Sequence, residues 1–209
     1  MAIYFIGGSP CSGKSTIASA LAERYDLRYF KVDDHLDRYI KMGVADRKAC
    51  CIKLEKLSSE QIWMRDPLAQ CEEELQIYQE IFNYILKDLE DEDSQKGMIT
   101  EGAAYLPVLA KRGGIPFAQY LSITPTKEFQ VFHYSQREWV PHVLEGCSDK
   151  AKAFENWMER DALFARAIRR QCKELGYASI VNDGNIPVGE MIHQAVVHFG
   201  LEQDDRKQT

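Results

Sequence analysis

A chain of 209 residues that is 45% hydrophobic, 11% aromatic and 28% charged can bury about 70% of its unfolded surface without cross-links, which excludes a stapled miniprotein and a disordered chain. Its net charge of -6 has the wrong sign for a general nucleic-acid binder, which needs a concentrated basic stripe, so any phosphate site must be local. The cysteines (Cys11, Cys50, Cys51, Cys71, Cys147, Cys172) show neither paired nor zinc-ligand spacing, so small hydrophobes in a reduced, cytoplasmic protein are expected.

In chain order, residues 2–6 (Ala-Ile-Tyr-Phe-Ile) predict a strand ending at Gly7-Gly8, and residues 17–25 carry Ile17, Ala18, Leu21 and Ala22 at helical spacing. The apolar run at Ile3 to Ile6 is too short for a secretory signal, and no later run approaches the ~18 apolar residues of a membrane span; no membrane partner is expected. A second strand is predicted over 27–32, stopped by Asp33-Asp34, with a helix over 35–41. A third covers 97–100, stopped by Glu101-Gly102. The roughly sixty residues between these strands exceed one crossover, so helices are expected to be inserted at 42–93. The longest spans 68–89, with Leu75, Tyr78, Ile81, Phe82, Ile85 and Leu89 on one face and the acidic run 88–93 as a solvated end.

A fourth strand is expected at 119–124, a helix at 154–175, a fifth strand at 178–182, and a last helix from Pro187 through Phe199, followed by a frayed tail over 202–209. Strands alternating with helices predict a parallel sheet with crossovers. The core is taken as 1–41 and 94–200 of one domain covering 1–209.

Between the first strand and first helix lies Gly8-Ser9-Pro10-Cys11-Ser12-Gly13-Lys14-Ser15. The spacing Gly-x4-Gly-Lys-Ser in this context reads as a phosphate cradle. The glycines allow backbone amides to turn inward, so those of Ser12 to Thr16 face an anion. Lys14 reaches the β- and γ-phosphates, Ser15 offers a hydroxyl to Mg²⁺, Thr16 reaches the α-phosphate, and the helix dipole adds to the field. Cys11 is read as a space-filler. No Asn-Lys-x-Asp segment supports guanine recognition, and no Gly-x-Gly-x-x-Gly follows the first strand.

With these motifs the chain resembles the nucleoside-monophosphate-kinase and shikimate-kinase superfamily of P-loop phosphotransferases. It is also similar to ATP-binding proteins grouped with chloramphenicol phosphotransferase and the zeta-toxin kinases. Residues 2–34, 98–107 and 178–187 match at the level of motifs. The resemblance implies an α/β three-layer fold, a five-stranded parallel sheet of order 2-3-1-4-5, ATP and Mg²⁺ as ligands, and transfer to the hydroxyl or phosphate of a small molecule. A kinase acting on a nucleotide-sugar or macromolecule, and a non-catalytic ATP-binding regulator, are the alternatives.

By the same resemblance Asp33 or Asp34 serves as base, Glu101 holds magnesium-bound water, and Asp183-Gly184 forms the adenine-side loop. A lid over about 133–157 is implied, with Arg137 and Arg160 as the arginines that neutralise the transferring phosphoryl group. A capping role for the aspartates is compatible with one being catalytic, and His35 is read as structural. Asp161 falls within the apolar stripe of its helix and requires a partner, whereas Arg166, Arg169, Arg170 and Lys173 fall on the solvated face. Arg38, Arg47 and Arg65 are the candidates for gripping an acceptor phosphate. Trp63, Tyr78, Phe82 and Tyr105 are core or the wall of a pocket for a neutral acceptor. Oligomeric state is not legible.

Overall fold

The computed structural model describes residues 2–91 and 96–203. Five parallel strands, β1 (Ile3–Gly7), β2 (Arg28–Lys31), β3 (Met98–Glu101), β4 (Tyr120–Pro125) and β5 (Ala178–Asn182), form one sheet in the order β2-β3-β1-β4-β5. Ile6 pairs with Glu101, and Glu101 with Lys31. The carboxyl ends of β1, β2 and β3 therefore stop at the same level, which is where open α/β sheets bind ligands.

The helices are α1 (Lys14–Arg24), α2 (Leu36–Ala45), α3 (Ala49–Glu55), α4 (Ser59–Trp63), α5 (Pro67–Asp91), α6 (Pro107–Arg112), α7 (Lys127–Ser135), α8 (Val140–Val143), α9 (Lys150–Leu175) and α10 (Val188–Phe199). Against one face of the sheet, Ile17 and Leu21 of α1 and Met191 and Val196 of α10 pack on Ile6, Ile99 and Leu121. Against the other, Tyr78, Ile81, Phe82 and Ile85 of α5 and Phe164 and Ile168 of α9 join Phe5, Met98 and Tyr120. Three layers result because strands buried on both faces need apolar cover on both. Among the described residues no helix is long and apolar enough to cross a membrane.

Several boundaries differ from the sequence expectation for local reasons. α1 starts at Lys14 because Gly13, with φ at 91°, ends the loop directly before it. α9 starts at Lys150 because the Asp149 carboxylate accepts the Lys152 amide, a side-chain cap. The acidic run is not simply a solvated end. Asp88 accepts hydrogen bonds from Arg38 and, at 2.6 Å, from the Tyr39 hydroxyl; Glu92 and Asp93 lie outside the described residues.

Arg169 departs from the solvated face, donating to Thr124 Oγ1 at 3.3 Å and to the Pro125 carbonyl at 3.2 Å. At the C-terminus, Leu201–Gln203 forms a 3-10 turn with Leu201 buried, where fraying was expected from 202. The rest of that tail, 204–209, lies outside the described residues.

Ile81 is fully buried between α5 and the sheet. Ile81→Ala is expected to cost about 2–5 kcal/mol through lost burial and a residual cavity, read as a lower urea midpoint with an unchanged slope.

Candidate functional site

The loop between β1 and α1 is shaped by positions that tolerate positive φ. Gly8 has φ at 123°, and a Cβ there would lie 1.8 Å from the Ile123 carbonyl oxygen, so the chain rests directly on β4. Cys11 also has positive φ. The contacts that close the loop consume carbonyls. Lys14 Nζ donates to the Ser9 carbonyl at 2.8 Å, Asn182 Nδ2 to the Ser12 carbonyl at 3.1 Å, and the Ile17 amide to the Gly13 carbonyl at 3.1 Å. Amides at the start of α1 have no intrahelical acceptor, and with Lys14 they make the cradle an electropositive cavity.

That cavity measures about 380 Å³ and is lined by residues 10–16 together with Lys31, Asp33, Tyr134, Arg137 and Trp139. Glu101 lies beneath it and is only 1% exposed. Its Oε1 accepts from Ser15 Oγ at 2.8 Å and from the Tyr29 hydroxyl at 3.0 Å. Burial, reinforced by Glu101, pushes the Tyr29 phenol upward, which keeps it a donor. Glu101 Oε2 is buried and has no hydrogen-bond partner among the described residues.

A buried, half-satisfied carboxylate beside a serine hydroxyl is a donor set suited to Mg²⁺, a hard cation that takes one or two protein oxygens and completes its shell with water and phosphate. Ser15 and Glu101 fit that role. Among the described residues no group of three His, Cys, Asp or Glu side chains could hold a metal without phosphate ligands.

Asp33 and Asp34 lie on a 3-10 turn, Val32–His35, so their side chains diverge by its three-residue period. Asp33 lines the cradle; burial pushes its carboxyl up, Lys14 draws it back, and Glu101 pushes it up again. Asp34 points out, 65% exposed, and pairs with Lys31 at 3.3 Å. Neither caps α2, since its N-cap is His35, without a side-chain hydrogen bond; His35 stacks on Phe30 at 4.9 Å.

Arg137 reaches the cradle. Its guanidinium lies over Tyr134 at 4.9 Å and Trp139 at 5.5 Å, and Nη2 is 3.6 Å from Cys11 Sγ. Burial, outweighing Arg137, holds the Cys11 thiol above its usual value, which suits a space-filler and not a nucleophile.

Arg160 does not line the cradle. Its Nη1 hydrogen-bonds Glu74 at 2.5 Å, its Nε lies 2.6 Å from Asp161 Oδ1 as an ion pair without hydrogen-bond alignment, and its guanidinium lies over Trp63 at 5.2 Å. The guanidinium is thus the partner that buried Asp161 requires, and the expectation of an arginine reaching over the nucleotide gives way to an internal ion cluster.

Asp183 and Gly184 also sit differently from the expected adenine-side loop. Asp183 faces solvent and accepts from the Asn185 amide at 2.9 Å and side chain at 3.0 Å, contacts that pull its carboxyl down. Gly184 has φ at 86°, and its amide donates to Asn182 Oδ1 at 3.1 Å. The cleft beside the cradle, about 370 Å³, is walled instead by Thr16, Phe129, His133, Asn182, Val188 and Met191. Sequence reading missed Asn182, Phe129 and His133; Asn182 closing β5 was the only local signal.

A further cavity of about 290 Å³ lies among the inserted helices and α9, with Leu36, Ile40, Leu54, Ile62, Trp63 and Tyr78 among its walls and Arg65, Glu73, Glu74 and Arg160 supplying charge. Leu36 is one turn beyond Asp33, and Asp33 bears electrostatically on Tyr78. Phe82 and Tyr105, by contrast, are core. Arg38 is tied to Asp88, and Arg47 is exposed at a positive φ.

No family model and no curated protein matches the chain. Among solved structures, an uncharacterised protein from Eubacterium ventriosum is 15% identical over 96% of this chain and 99% of its own, with a TM-score of 0.51. TT1252 from Thermus thermophilus is 16% identical over 96% and 97%, with a TM-score of 0.50. Shikimate kinase from Aquifex aeolicus is 20% identical over 98% of both chains but superposes more loosely, at 0.39. The likeness to the first two is one of fold.

Arg160→Met would leave Asp161 and Glu74 buried with their shared cation removed, at a cost of about 3–5 kcal/mol near neutral pH. Burial raises the Asp161 carboxyl and Arg160 lowers it, so the variant's folded state holds that proton more tightly than its unfolded state. Stability then falls as pH rises and recovers as pH falls. Urea midpoints for the variant are expected to approach those of the unaltered protein as pH drops from 7.5 toward 5.

Proposed function

We propose that the chain is an ATP-dependent phosphotransferase acting on a small molecule held among the inserted helices. The observation that carries this reading is Asp33: one carboxylate lines the phosphate cradle with Lys14, while the turn that bears it runs straight into Leu36 at the wall of the second cavity. A transfer enzyme needs a base at the edge of its phosphate cradle, on the side from which an acceptor enters, and Asp33 has that position.

In this reading the nucleotide base occupies the cleft of Phe129, His133 and Asn182, and the polyphosphate lies on the loop amides. The acceptor hydroxyl loses its proton to Asp33 as its oxygen bonds to the γ-phosphorus, while the bond to the β–γ bridging oxygen breaks and ADP departs with that electron pair. Lys14 and Arg137 balance charge on the transferring group. Ser15, with Glu101 behind it, would hold Mg²⁺, which would supply neutralisation of the phosphate charge.

Asp33→Asn is expected to lower kcat by about 10²–10⁴ while calorimetry finds ADP binding little changed. Asp34→Asn is expected to do neither. Because burial raises the Asp33 carboxyl, the base form is lost as pH falls through that raised value, so the acid limb of kcat/KM is expected above the ordinary ~3.9 of an aspartate. If ATP binds yet no γ-phosphate is transferred or released across a panel of nucleosides, sugar acids and alcohols, the chain is a regulator instead.

A further inference from the structure

The charge arrangement of the cavity beyond Asp33 narrows the acceptor, granted the transfer reading. A phosphate ester needs free cationic donors. Arg65 and Arg160, which line this cavity, already have their charge matched: Arg65 Nη1 bonds Glu73 at 2.6 Å, and Arg160 is ion-paired with Glu74 and Asp161, although its Nε makes no hydrogen bond. An incoming phosphate would meet two carboxylates and would have to break those pairs first.

A cationic acceptor fares little better. Glu73 Oε2 already accepts from Lys53 at 2.7 Å as well as from Arg65, so its charge is matched. An ammonium group entering beside it would face two cations. Glu73 Oε1 and Gln70 Oε1 are buried acceptors without a donor among the described residues, while Gln70 Nε2 is spent on the Arg65 carbonyl at 2.9 Å. Buried acceptors without donors carry a desolvation cost that a ligand hydroxyl or amide N–H relieves.

The remaining walls, Leu36, Ile40, Leu54, Ile62 and Ile77 with the ring of Trp63, are apolar or aromatic. A volume near 290 Å³ lies at the lower end of the ~300–1,000 Å³ of small-molecule sites.

We propose that the acceptor is a small, uncharged, apolar-bodied alcohol with hydrogen-bond donors at both ends. One hydroxyl is presented to Asp33 and the γ-phosphate; a second hydroxyl or amide N–H meets Glu73 and Gln70; a hydrophobic or aromatic middle spans the cavity. Phosphate esters and amines are rejected by the paired charges.

The test uses the full chain and three probes of similar size: 2-(4-hydroxyphenyl)ethanol, phenyl phosphate and tyramine. Each is titrated calorimetrically with the nucleotide site filled by Mg²⁺ and a non-hydrolysable ATP analogue, so that phenyl phosphate reports on the cavity alone. The neutral diol is expected to bind at least about tenfold tighter than either charged probe. Leu54→Trp, which fills the cavity from a half-buried wall position, is expected to abolish diol binding without lowering the thermal midpoint. Glu73→Ala, which frees Arg65 and Lys53, is expected to improve phenyl phosphate binding about tenfold.

The inference is overturned if phenyl phosphate or tyramine binds as well as the diol, if none of the three binds, or if Leu54→Trp leaves the diol affinity intact. Failure of the ATP analogue to bind sinks the transferase reading alone, and the ranking of diol against tyramine, measured without nucleotide, still decides this one.

Discussion

The Lys14 ammonium is the group around which the site is arranged. Its side chain is buried, at 6% exposure, in the first turn of α1, where the helix dipole opposes a cation. Its hydrogen bond goes to the neutral Ser9 carbonyl, and no carboxylate among the described residues forms an ion pair with it. A cation so placed is stabilised by an anion arriving from outside, so the loop is built for a ligand and not for its own stability. The close approach of Gly8 to Ile123, the positive φ of Gly13 and the tether from Asn182 to Ser12 fix the amides in that arrangement, which would reduce the ordering cost of binding an anion.

The sheet explains why the other parts gather there. β2 and β3 are in register with β1, so the residues that end them, Asp33 just beyond Lys31 and Glu101 itself, come out at the level of the loop. Close packing in the layers on both faces fixes that register, because a slip would exchange side chains between two cores of different shape. That level is thus set by Phe5, Ile6, Met98 and Ile99 packing on either side of the sheet.

The strands were legible because each rests on a local pattern, a short apolar run closed by glycine, proline or a carboxylate, whereas the sheet order followed from the family resemblance and not from any local signal. What escaped the sequence was pairing at a distance. Asn182 grips Ser12 across 170 positions, Tyr29 supports Glu101 across 72, and Arg160 finds Glu74 across 86; no periodicity announces such partners. The two aspartates were seen as a pair, but the 3-10 turn that parts them was not. Asp183 and Gly184 were singled out at the right place, yet the preceding Asn182 faces the cleft, because Asp183 satisfies itself on Asn185.

The contrast between the two arginines expected at the lid follows from what holds each one. Arg160 is buried between two carboxylates, and withdrawing it would strand charges worth several kcal/mol; it is fixed. Arg137 is exposed and makes no ion pair among the described residues, resting on the faces of Tyr134 and Trp139 and beside a thiol. An exposed cation–π contact is worth only about 0.5–1 kcal/mol, less than a charge-assisted bond to phosphate. A cation that must meet a phosphoryl group only while it is in transit has to be held weakly enough to leave and closely enough to arrive. For the transfer proposed above, Arg137 is held weakly enough to move to the phosphoryl group, whereas Arg160 is locked in its ion cluster.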